Sequence, residues 1–472
     1  MKYATLMSGL EAVEIPRSKV SEISTFRIDS EYFMKQYLIH DKLIIEKPDF
    51  FTKLSNMGLT VDASAFYPSL EPYYNCGEIP FVRVADVKNE IDYDNCVKVP
   101  KMSDDFATLK LCKPGDIVLT KGGTIAKAGL IKQNSYVTRD LIFINSSEMR
   151  KEDYISLFLL FRSKFMYDLM VKSSSQSVQP HLTITLIRDL PILIFSEKFK
   201  KYLTSIYGEF DRSSAESIRL YKSAENIILT ELGLTNFVPS NEPVAVKNFS
   251  QSFGASGRLD AEYYQPKYED YEASIDAIRK LAELCNIYDS TFVPHKNDYK
   301  YIELANIGTY GNITGCTVAP FKELPSRARR LVKSGQVIVS SIEGSLASCA
   351  LVADDYDEAI CSTGFYIVDS TKINSETLLV LFKSEPIQQL MKKRCSGTIL
   401  TAISKVALET MPFPLIDKDK QREIADMVQK SFALRRQSEQ LLDMAKRAVE
   451  VAIEDGEEKA IEFLEDANER ND

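Results

Sequence analysis

Two groups of basic and polar side chains have residue types suited to contact with nucleic acid. Lys and Arg attract phosphate groups, whereas Gln, Ser and Thr can read base edges. A single basic residue is more commonly a solvated surface residue, so the prediction rests on the groups. The predicted contacts in the first group are Lys121, Lys127, Arg139, Ser175, Gln176, Gln179 and His181. Those in the second group are Arg329, Arg330, Ser341, Lys393, Arg394 and Thr398.

The sequence lacks the motifs that an ATP-binding enzyme, a DNA methyltransferase or a nuclease would need. The sequence has no Gly-x4-Gly-Lys-[Ser/Thr] for ATP and no Asn-Pro-Pro-[Tyr/Phe] of an amino-methyltransferase. We find no acidic pair with a following lysine on adjacent predicted strands, as a restriction nuclease needs. The histidines His40, His181 and His295 are too far apart for metal spacing. We therefore predict a chain with no catalytic residues and no metal site.

Composition is that of a soluble globular protein, with 44% hydrophobic and 26% charged residues among 472. The net charge of −9 says little against a local basic surface, because residues 453–472 hold nine acidic residues and two basic ones. Eight cysteines without a CxxC pair predict reduced thiols. There is no apolar run of about 20 residues and no signal-peptide pattern, so we expect a cytoplasmic protein.

The elements that carry these groups occur twice. Phe81–Val87 corresponds to Tyr301–Ile307, and Leu111–Thr120 to Leu331–Ser340, both at a shift of 220 residues. Upstream, Arg27-Ile28-Asp29-Ser30-Glu31-Tyr32-Phe33 returns as Arg258-Leu259-Asp260-Ala261-Glu262-Tyr263-Tyr264 at a shift of 231. We interpret this motif as a helix start that packs each domain.

Hydrophobic periodicity predicts a mixed α/β unit in each copy. The first copy has a helix from Glu31 to Ile45, successive β-strands from Ile79 to Ile144, a helix from Tyr154 to Val171 and a closing strand at Leu190–Ile194. The second copy has helices at Asp260–Leu284 and Leu378–Met391, with strands between them. We predict its closing strand at Met411–Leu415.

A long heptad helix follows each copy. In the first, Leu203, Phe210, Ser217, Ala224 and Glu231 recur every seven residues, as do Ile206, Ser213, Leu220 and Ile227. The predicted helix-pairing residues are Leu203, Ile206, Leu220, Ile227, Ile424, Met427, Leu434 and Leu441. We predict antiparallel pairing with pseudo-twofold symmetry; the alternative is that each helix packs on its own domain. A continuous helix of this length would span about 50 Å, or about 15 base pairs.

The predicted domains follow from this order. They are a first recognition domain at 1–195, a spacer helix at 196–234, a second recognition domain at 235–416, and a second spacer helix with an acidic tail at 417–472. The fold class is α/β (α+β), two mixed domains in tandem.

Two local patterns, each present twice, resemble the specificity subunit of type I restriction-modification systems. One is Gly115-Asp116-Ile117 followed by Gly123-Thr124-Ile125-Ala126, matched by Gly335-Gln336-Val337 and Gly344-Ser345-Leu346-Ala347. The other is a small polar loop, a Leu/Ile-rich helix turn and then an apolar strand with proline, at 173–194 and 394–415. Gln336 replaces the usual aspartate, and Ala126 and Ala347 replace the usual glycine.

The resemblance implies two target-recognition domains that read a bipartite, asymmetric site in double-stranded DNA. It implies docking of two methyltransferase subunits and, through them, of restriction/translocase subunits. S-adenosylmethionine, ATP and Mg would then lie on those partners and no cofactor on this chain. Two alternatives stay open: a repeat-built protein-interaction scaffold, and the specificity module of a single-chain restriction-methyltransferase.

Overall fold

The computed structural model describes residues 13–22, 27–102, 106, 108–174, 180–275, 279–397 and 401–469. Four predicted contact residues, Ser175, Gln176, Gln179 and Thr398, lie outside these ranges. The chain divides into two compact units. Unit 1 comprises Met1–Asp211 and Ser438–Asp472, and unit 2 comprises Arg212–Gln437.

The first copy of the repeat and the helix after it contain ten strands and six helices among the described residues. In chain order they are α1 (Arg17–Glu22), α2 (Lys35–Glu46), β1 (Phe51–Lys53), β2 (Val61–Ala63), β3 (Ile79–Val82), β4 (Val97–Val99), β5 (Leu111–Cys112), β6 (Ile117–Thr120), β7 (Ala128–Leu130), β8 (Ser135–Val137), β9 (Leu141–Ile144), α3 (Lys151–Arg162), α4 (Lys164–Ser173), α5 (Ile184–Asp189), β10 (Pro191–Leu193) and α6 (Glu197–Glu231).

The second copy repeats this order and ends in a second long helix. Its elements are α7 (Phe253–Ser256), α8 (Pro266–Ser274), α9 (Leu281–Leu284), β11 (Asn286–Tyr288), β12 (Asp298–Ile302), β13 (Thr317–Pro320), β14 (Ala328–Leu331), β15 (Val337–Ser340), β16 (Cys349–Leu351), β17 (Ile360–Ser362), β18 (Phe365–Asp369), α10 (Ser375–Lys383), α11 (Glu385–Arg394), β19 (Cys395–Ser396), β20 (Ala402–Ile403), α12 (Lys405–Glu409), α13 (Lys418–Glu454) and α14 (Glu457–Glu469).

Unit 1 has two four-stranded sheets, in the orders β2-β9-β6-β7 and β4-β3-β8-β5, and a two-stranded antiparallel sheet of β1 and β10. Strand alternation sends Ile117 and Leu119 of β6 into a core shared with the helices, whereas Val118 packs with Val82 and Val137 of the other sheet. A third cluster, which includes Phe81 and Tyr136, lies on the far face of the second sheet. The layers are thus helices, sheet, sheet and an outer aromatic cluster.

Unit 2 has the same two sheets in the corresponding orders, β11-β18-β15-β16 and β13-β12-β17-β14. In each unit the two central strands of the second sheet pair in parallel. These are β3 with β8 in unit 1 and β12 with β17 in unit 2. All other strand pairs in these four sheets are antiparallel. The predicted mixed α/β class and the repeat are confirmed at the level of individual strands.

Two predicted helices are broken by serine. Tyr154–Val171 is divided between α3 and α4 because Ser163 is extended and its hydroxyl accepts a hydrogen bond from Met166 N, capping α4. Leu378–Met391 is divided at Ser384, where Pro386 stands in the first turn of α11. Periodicity continued across both breaks, so it could not reveal them.

The helix predicted at Asp260–Leu284 is confirmed only in part, as α8 and α9, and the strand predicted at Met411–Leu415 was wrong. Residues Ala261–Tyr264 form a 3-10 turn, and α8 begins at Pro266, a residue that starts a helix readily but cannot continue one. Instead of a strand, 411–415 contributes one isolated bridge between Lys280 and Pro412.

The buried stripe of each long helix is wider than the predicted seam. Leu203, Ile206, Ile424 and Leu441 are buried, but Leu220, Ile227, Met427 and Leu434 are only half-buried. Burial instead follows Tyr207, Ser214, Tyr221 and Ile228, one position further along. These side chains also face the α/β part of their own unit: Tyr207 packs on Phe158 and Tyr221 on Tyr310. A helix that packs on a domain as well as on another helix needs this broader apolar face.

Inside unit 2 the segments of α6 and α13 make a direct, antiparallel contact. Ser217 Oγ donates to Ser431 O at 2.9 Å, and Ser431 Oγ donates to Ser217 O at 2.8 Å. Glu231, further along α6, lines a cavity with Lys418 and Gln421 at the start of α13. Pairing along the full length and pseudo-twofold symmetry stay predictions.

Three properties of the described residues bear on other predictions. No helix among them is long and apolar enough to cross a membrane. Within the same ranges, no group of three or more His, Cys, Asp and Glu side chains could hold a metal ion. All eight cysteines are free of disulfide bonds.

Candidate nucleic-acid interface

Three chain segments meet at the end of strand β6 in unit 1. Lys121 N donates to Asp140 O at 3.0 Å, and Leu182 N donates to Lys121 O at 3.0 Å. These bonds place His181 beside the residues that follow β6. The backbone thus fixes a small surface composed of Lys121, Gly122, Asp140 and His181.

Unit 2 builds the same surface with the same two bonds. Ser341 N donates to Gly364 O at 2.8 Å, and Ile403 N donates to Ser341 O at 2.8 Å. The corresponding residues here are Ser341, Ile342, Gly364 and Ala402. We call these two sets of four residues the corner sites.

The corner site of unit 1 is charged and tightly packed. His181 lies against the backbone of Gly122, where an added Cβ would be 3.0 Å from His181 Cε1 and 3.1 Å from Nδ1. Lys121 is half-buried, whereas Asp140 and His181 are exposed. Arg139 precedes Asp140 and is also exposed. Its backbone N donates a hydrogen bond to Tyr67 Oη at 3.4 Å. This corner can offer cations, a carboxylate and an imidazole to a duplex.

The corner site of unit 2 borders an open groove of about 530 Å³ with a different lining. Arg327 and Glu303 form an ion pair at 3.0 Å across it, and Arg327 Nε donates to Tyr301 Oη at 3.2 Å. The hydroxyl of Ser341 donates to Gly364 O, but Thr363 on the same rim is exposed. This corner offers hydroxyl groups and one paired arginine.

Two predicted contacts near this corner support it from behind. Arg330 lies 5.2 Å from the ring centroid of Tyr366 and donates to Phe365 O. Tyr366 Oη in turn donates to Ile403 O at 3.2 Å. Arg329 is half-buried and packs over Phe321 at 5.6 Å. Their geometry favours packing roles over base contact.

Lys127 lies in another groove of unit 1. That groove, of about 760 Å³, is bounded by α3, the start of α4 and the second half of α13. Its basic side chains are Lys88, Lys127, Arg162, Lys164, Lys446 and Arg447. Arg162 is occupied by the carbonyls of Lys88, Asn89 and Ala128. Lys127 is exposed in this groove and remains a candidate phosphate contact.

Lys393 and Arg394 belong to an ion-pair cluster, so we no longer propose them as DNA contacts. Lys393 is only 7% exposed, and its Nζ lies 2.6 Å from Glu272 Oε2. Arg394 Nη2 lies 2.7 Å from Glu272 Oε1. Their basic run resembled a surface patch because sequence alone does not show that Glu272 faces it.

The repeated Arg-x-Asp motif lies at the centre of a network of contacts in each unit. We predicted that it begins a helix, and it does not. In unit 1, Arg27 makes two hydrogen bonds to Asp29, at 2.8 and 2.9 Å. Its remaining nitrogen, Nη1, donates to the carbonyls of Lys172 at 2.7 Å and Ser174 at 3.1 Å. Arg27 and Lys172 each lie 4.7 Å from the ring centroid of Tyr32.

Unit 2 reproduces these contacts. Arg258 makes two hydrogen bonds to Asp260, at 2.7 and 2.6 Å, and donates to Cys395 O at 2.9 Å and to Lys393 O at 3.5 Å. Arg258 and Lys393 lie 4.4 and 5.1 Å from the Tyr263 ring centroid. Together with the acidic partners of the two lysines, these residues form the anchor clusters. Their members are Arg27, Asp29, Tyr32, Asp41 and Lys172 in unit 1, and Arg258, Asp260, Tyr263, Glu272 and Lys393 in unit 2.

The electrostatics of the clusters favour the charged forms. Hydrogen bonds from Arg27 hold the pKa of Asp29 below its usual range, and those from Arg258 do the same for Asp260. Burial alone would raise the pKa of Glu272, but the ammonium of Lys393 and the guanidinium of Arg394 outweigh burial and lower it. The carboxylates of Asp29, Asp260 and Glu272 are therefore ionised and paired at neutral pH.

Sequence reasoning missed Asp140 at the first corner, and Glu303 and Thr363 in the groove beside the second. Glu303 corresponds to Arg83 at the shift of 220, so the repeat itself marked a place where the charge reverses between copies. Asp140 directly precedes β9, and Thr363 lies two residues before β18; only the sheet order places these two strands beside β6 and β15.

The family comparison decides what this architecture is. Residues 59–196 match the family model described as "Type I restriction modification DNA specificity domain". These residues are a type I specificity domain. The resemblance predicted from the sequence is confirmed over these residues. The specificity domain contains the corner site of unit 1, whereas Arg27, Tyr32 and Asp41 lie before it.

Solved structures with similarity include two specificity subunits. The S subunit of a type I restriction-modification system from M. genitalium has a TM-score of 0.38 and 12% identity, covering 88% of this chain and 95% of that chain. The HsdS subunit from Thermoanaerobacter tengcongensis has a TM-score of 0.29 and 13% identity, covering 86% and 96%. The type IIG restriction endonuclease BpuSI is similar over 41% of this chain and 30% of its own, with a TM-score of 0.30 and 9% identity.

Proposed function

We propose that this chain is the DNA-recognition subunit of a type I restriction-modification complex and reads a bipartite, asymmetric site. Each unit would read one half-site through its corner site. The observation that carries the proposal is the pair of corner sites: one backbone frame, repeated, presents unlike side chains. Two equivalent frames with unlike contacts are what an asymmetric two-part site requires.

The chain itself would perform no chemistry. Methyltransferase subunits with S-adenosylmethionine would dock on it, and through them nuclease subunits with ATP and Mg. The exposed faces of α6 and α13 are the proposed docking surfaces, because their buried faces already pack inside the units. A purified chain should then bind duplex DNA in a salt-sensitive way and neither methylate nor cut it.

An exchange between the two corners tests the assignment of reading residues. The triple variant Lys121→Ser, Asp140→Gly and His181→Ala gives unit 1 three of the four corner residues of unit 2 and leaves the backbone bonds in place. Sequencing of methylated genomic DNA from cells that express the full complex reports the recognised site. We expect one half-site to change and the other to stay the same.

The converse variant, Ser341→Lys, Gly364→Asp and Ala402→His, should change only the other half-site. Lys113→Ser is the matched control, since Lys113 is an exposed lysine of unit 1 paired with Glu148 outside the corner. A change in both half-sites from either triple variant would refute independent reading. Absence of salt-sensitive duplex binding by the complete complex would favour the interaction-scaffold alternative.

A further inference from the structure

The anchor clusters contain the same contacts in both units, although their parts come from distant stretches of chain. The arginine, aspartate, tyrosine and acidic members recur at a shift of 231, and the lysine with the two bound carbonyls recurs at a shift of 221. In unit 1 the hydrogen bond from Arg27 to Lys172 O joins residues 145 positions apart. The contacts persist although the second copy has ten fewer residues between the two parts, since Arg258 and Lys393 are 135 positions apart.

The bound carbonyls are those at the end of a helix. Lys172 and Ser174 lie at the C-terminus of α4, and Lys393 and Cys395 at that of α11. The last carbonyls of a helix have no partner within the helix, so the final turn is free to fray unless a donor satisfies them. One guanidinium that donates to two such carbonyls fixes where the helix ends and in which direction the chain leaves it.

In unit 2 this fixed helix end is connected directly to the corner site. Cys395, whose carbonyl accepts from Arg258, pairs with Ile403 in the two-stranded sheet β19–β20. Ile403 N donates to Ser341 O, which is the bond that defines the corner. Ala402, its neighbour, lines the groove. A shift of the helix end would therefore move a wall of the corner.

Unit 1 keeps the same spacing. Ser174, bound by Arg27, precedes His181 by seven residues, as Cys395 precedes Ala402. Leu182 N then donates to Lys121 O, as Ile403 N does to Ser341 O. The helix end and the corner thus have the same separation along the chain in both units.

Each cluster contains a buried lysine that forms an ion pair with the acidic member. Lys172 is 6% exposed and its Nζ lies 2.6 Å from Asp41 Oδ1; Lys393 has Glu272 in the corresponding place. An ammonium removed from water needs a carboxylate partner, which binds α4 to α2 and α11 to α8. Asp and Glu at the same position show that the charge matters more than the length of the side chain.

We propose that the anchor clusters hold each corner site in the geometry that reads its DNA half-site, an inference that rests on the proposed function. The positioning residues are Arg27, Asp41 and Lys172 in unit 1, and Arg258, Glu272 and Lys393 in unit 2. They lie behind the corners and do not themselves touch DNA. Each cluster serves only the half-site read by its own unit.

Arg27→Gln and Arg258→Gln test this role in the assembled complex with its methyltransferase subunits. The readout is the set of methylated positions in host genomic DNA, which reports each half-site separately. For Arg27→Gln we expect discrimination to fall about tenfold in one half-site only, an effect comparable to a single mismatch. Arg258→Gln should relax only the other half. Arg17→Gln and Arg279→Gln, which alter exposed arginines in the same units, are the controls.

The conservative exchanges separate positioning from folding. Asp41→Glu and Glu272→Asp copy the acid of the other unit and should keep wild-type discrimination, whereas Asp41→Ala and Glu272→Ala should relax their own half-sites. Thermal melts identify variants that fail to fold, and the conservative variants provide a folded comparison. A purely structural cluster would lower the melting temperature and the methylation level without relaxing one half-site selectively.

Two results would overturn the inference: both half-sites relaxing together, or unchanged discrimination in a folded Arg→Gln variant. Failure of the proposed function is a separate outcome. In that case the wild-type complex itself would yield no two-part methylation motif, whatever the anchor variants do.

Discussion

In both units an arginine binds the carbonyl groups at the end of a helix. Seven residues after the last of these carbonyls, the chain reaches a corner site. The arginine contacts are the same in the two units, but the corners are not. His181 packs on Gly122 in unit 1, whereas Ala402 forms a bridge with Ile342 in unit 2. The groove beside the second corner contains an Arg327–Glu303 ion pair.

The two copies are free to diverge at the corners but not in the anchor clusters. Residues with buried charge and two or three partners are constrained by the cost of leaving any partner unpaired. Corner side chains are held in place by backbone hydrogen bonds, which do not depend on side-chain identity. Substitution at a corner can therefore change recognition while the frame persists.

Loss of the acidic member of an anchor cluster should destabilise its unit more than any other change proposed here. Glu272→Gln leaves the buried Lys393 and its neighbour Arg394 without a carboxylate, which should destabilise unit 2 by about 3 kcal/mol. Asp41→Asn should cost less, because in unit 1 only Lys172 loses its partner. Urea unfolding of the purified variants measures both values.

Glu269→Gln is the control for this comparison. Glu269 lies on the same helix and pairs with Lys247, but its side chain is 52% exposed. Such a pair contributes only a few tenths of a kcal/mol. Equal losses from Glu269→Gln and Glu272→Gln would show that burial does not distinguish the cluster.

The repeat could be recognised from the sequence because it preserves spacing. Strands such as β6 and β15 follow Gly-x-[Ile/Val] patterns at one shift, and their burial on both faces makes them continuous apolar runs. The long helices were visible for the same reason. What could not be predicted was any break that periodicity spans, such as Ser163 and Ser384.

The corner sites were only partly predictable. Lys121, His181 and Ser341 were identified from residue type and position in polar loops, and the structure places them at the corners. Lys393 was misleading because a buried lysine and an exposed one look alike in sequence. Its partner Glu272 is 121 residues away, and only tertiary packing brings them together.

A smaller effect should follow from filling the space beside His181. In Gly122→Ala the new Cβ would lie within about 3 Å of the imidazole, so His181 must turn away. We expect the unit 1 half-site to be bound more weakly by about 1 kcal/mol, with the unit 2 half-site unchanged. Competition binding of the complex to duplexes altered in one half-site measures this.

The double variant Gly122→Ala with His181→Ala completes a cycle with the two single variants. If the alanine acts by displacing the imidazole, the double variant should bind like His181→Ala alone. Additive losses would mean that Gly122 acts independently of His181. The mirrored position in unit 2 already carries Ile342 opposite Ala402, which shows that the frame accepts a side chain where no histidine stands.

The smallest change should be in the stability of unit 2 at acidic pH. The pKa of Glu272 in the folded chain lies below its usual value of 4.5, so its contribution to stability is fully present above that value and is lost as pH falls through the folded pKa. Glu272→Gln mimics the protonated form at every pH. The difference in melting temperature between wild type and Glu272→Gln should therefore be constant from about pH 6 upward and shrink at lower pH. Asp260→Asn should show the same sign, since the pKa of Asp260 is lowered by Arg258. A difference that grew on acidification would mean that the paired carboxylate destabilises unit 2, and the buried lysine would then need another explanation for its place.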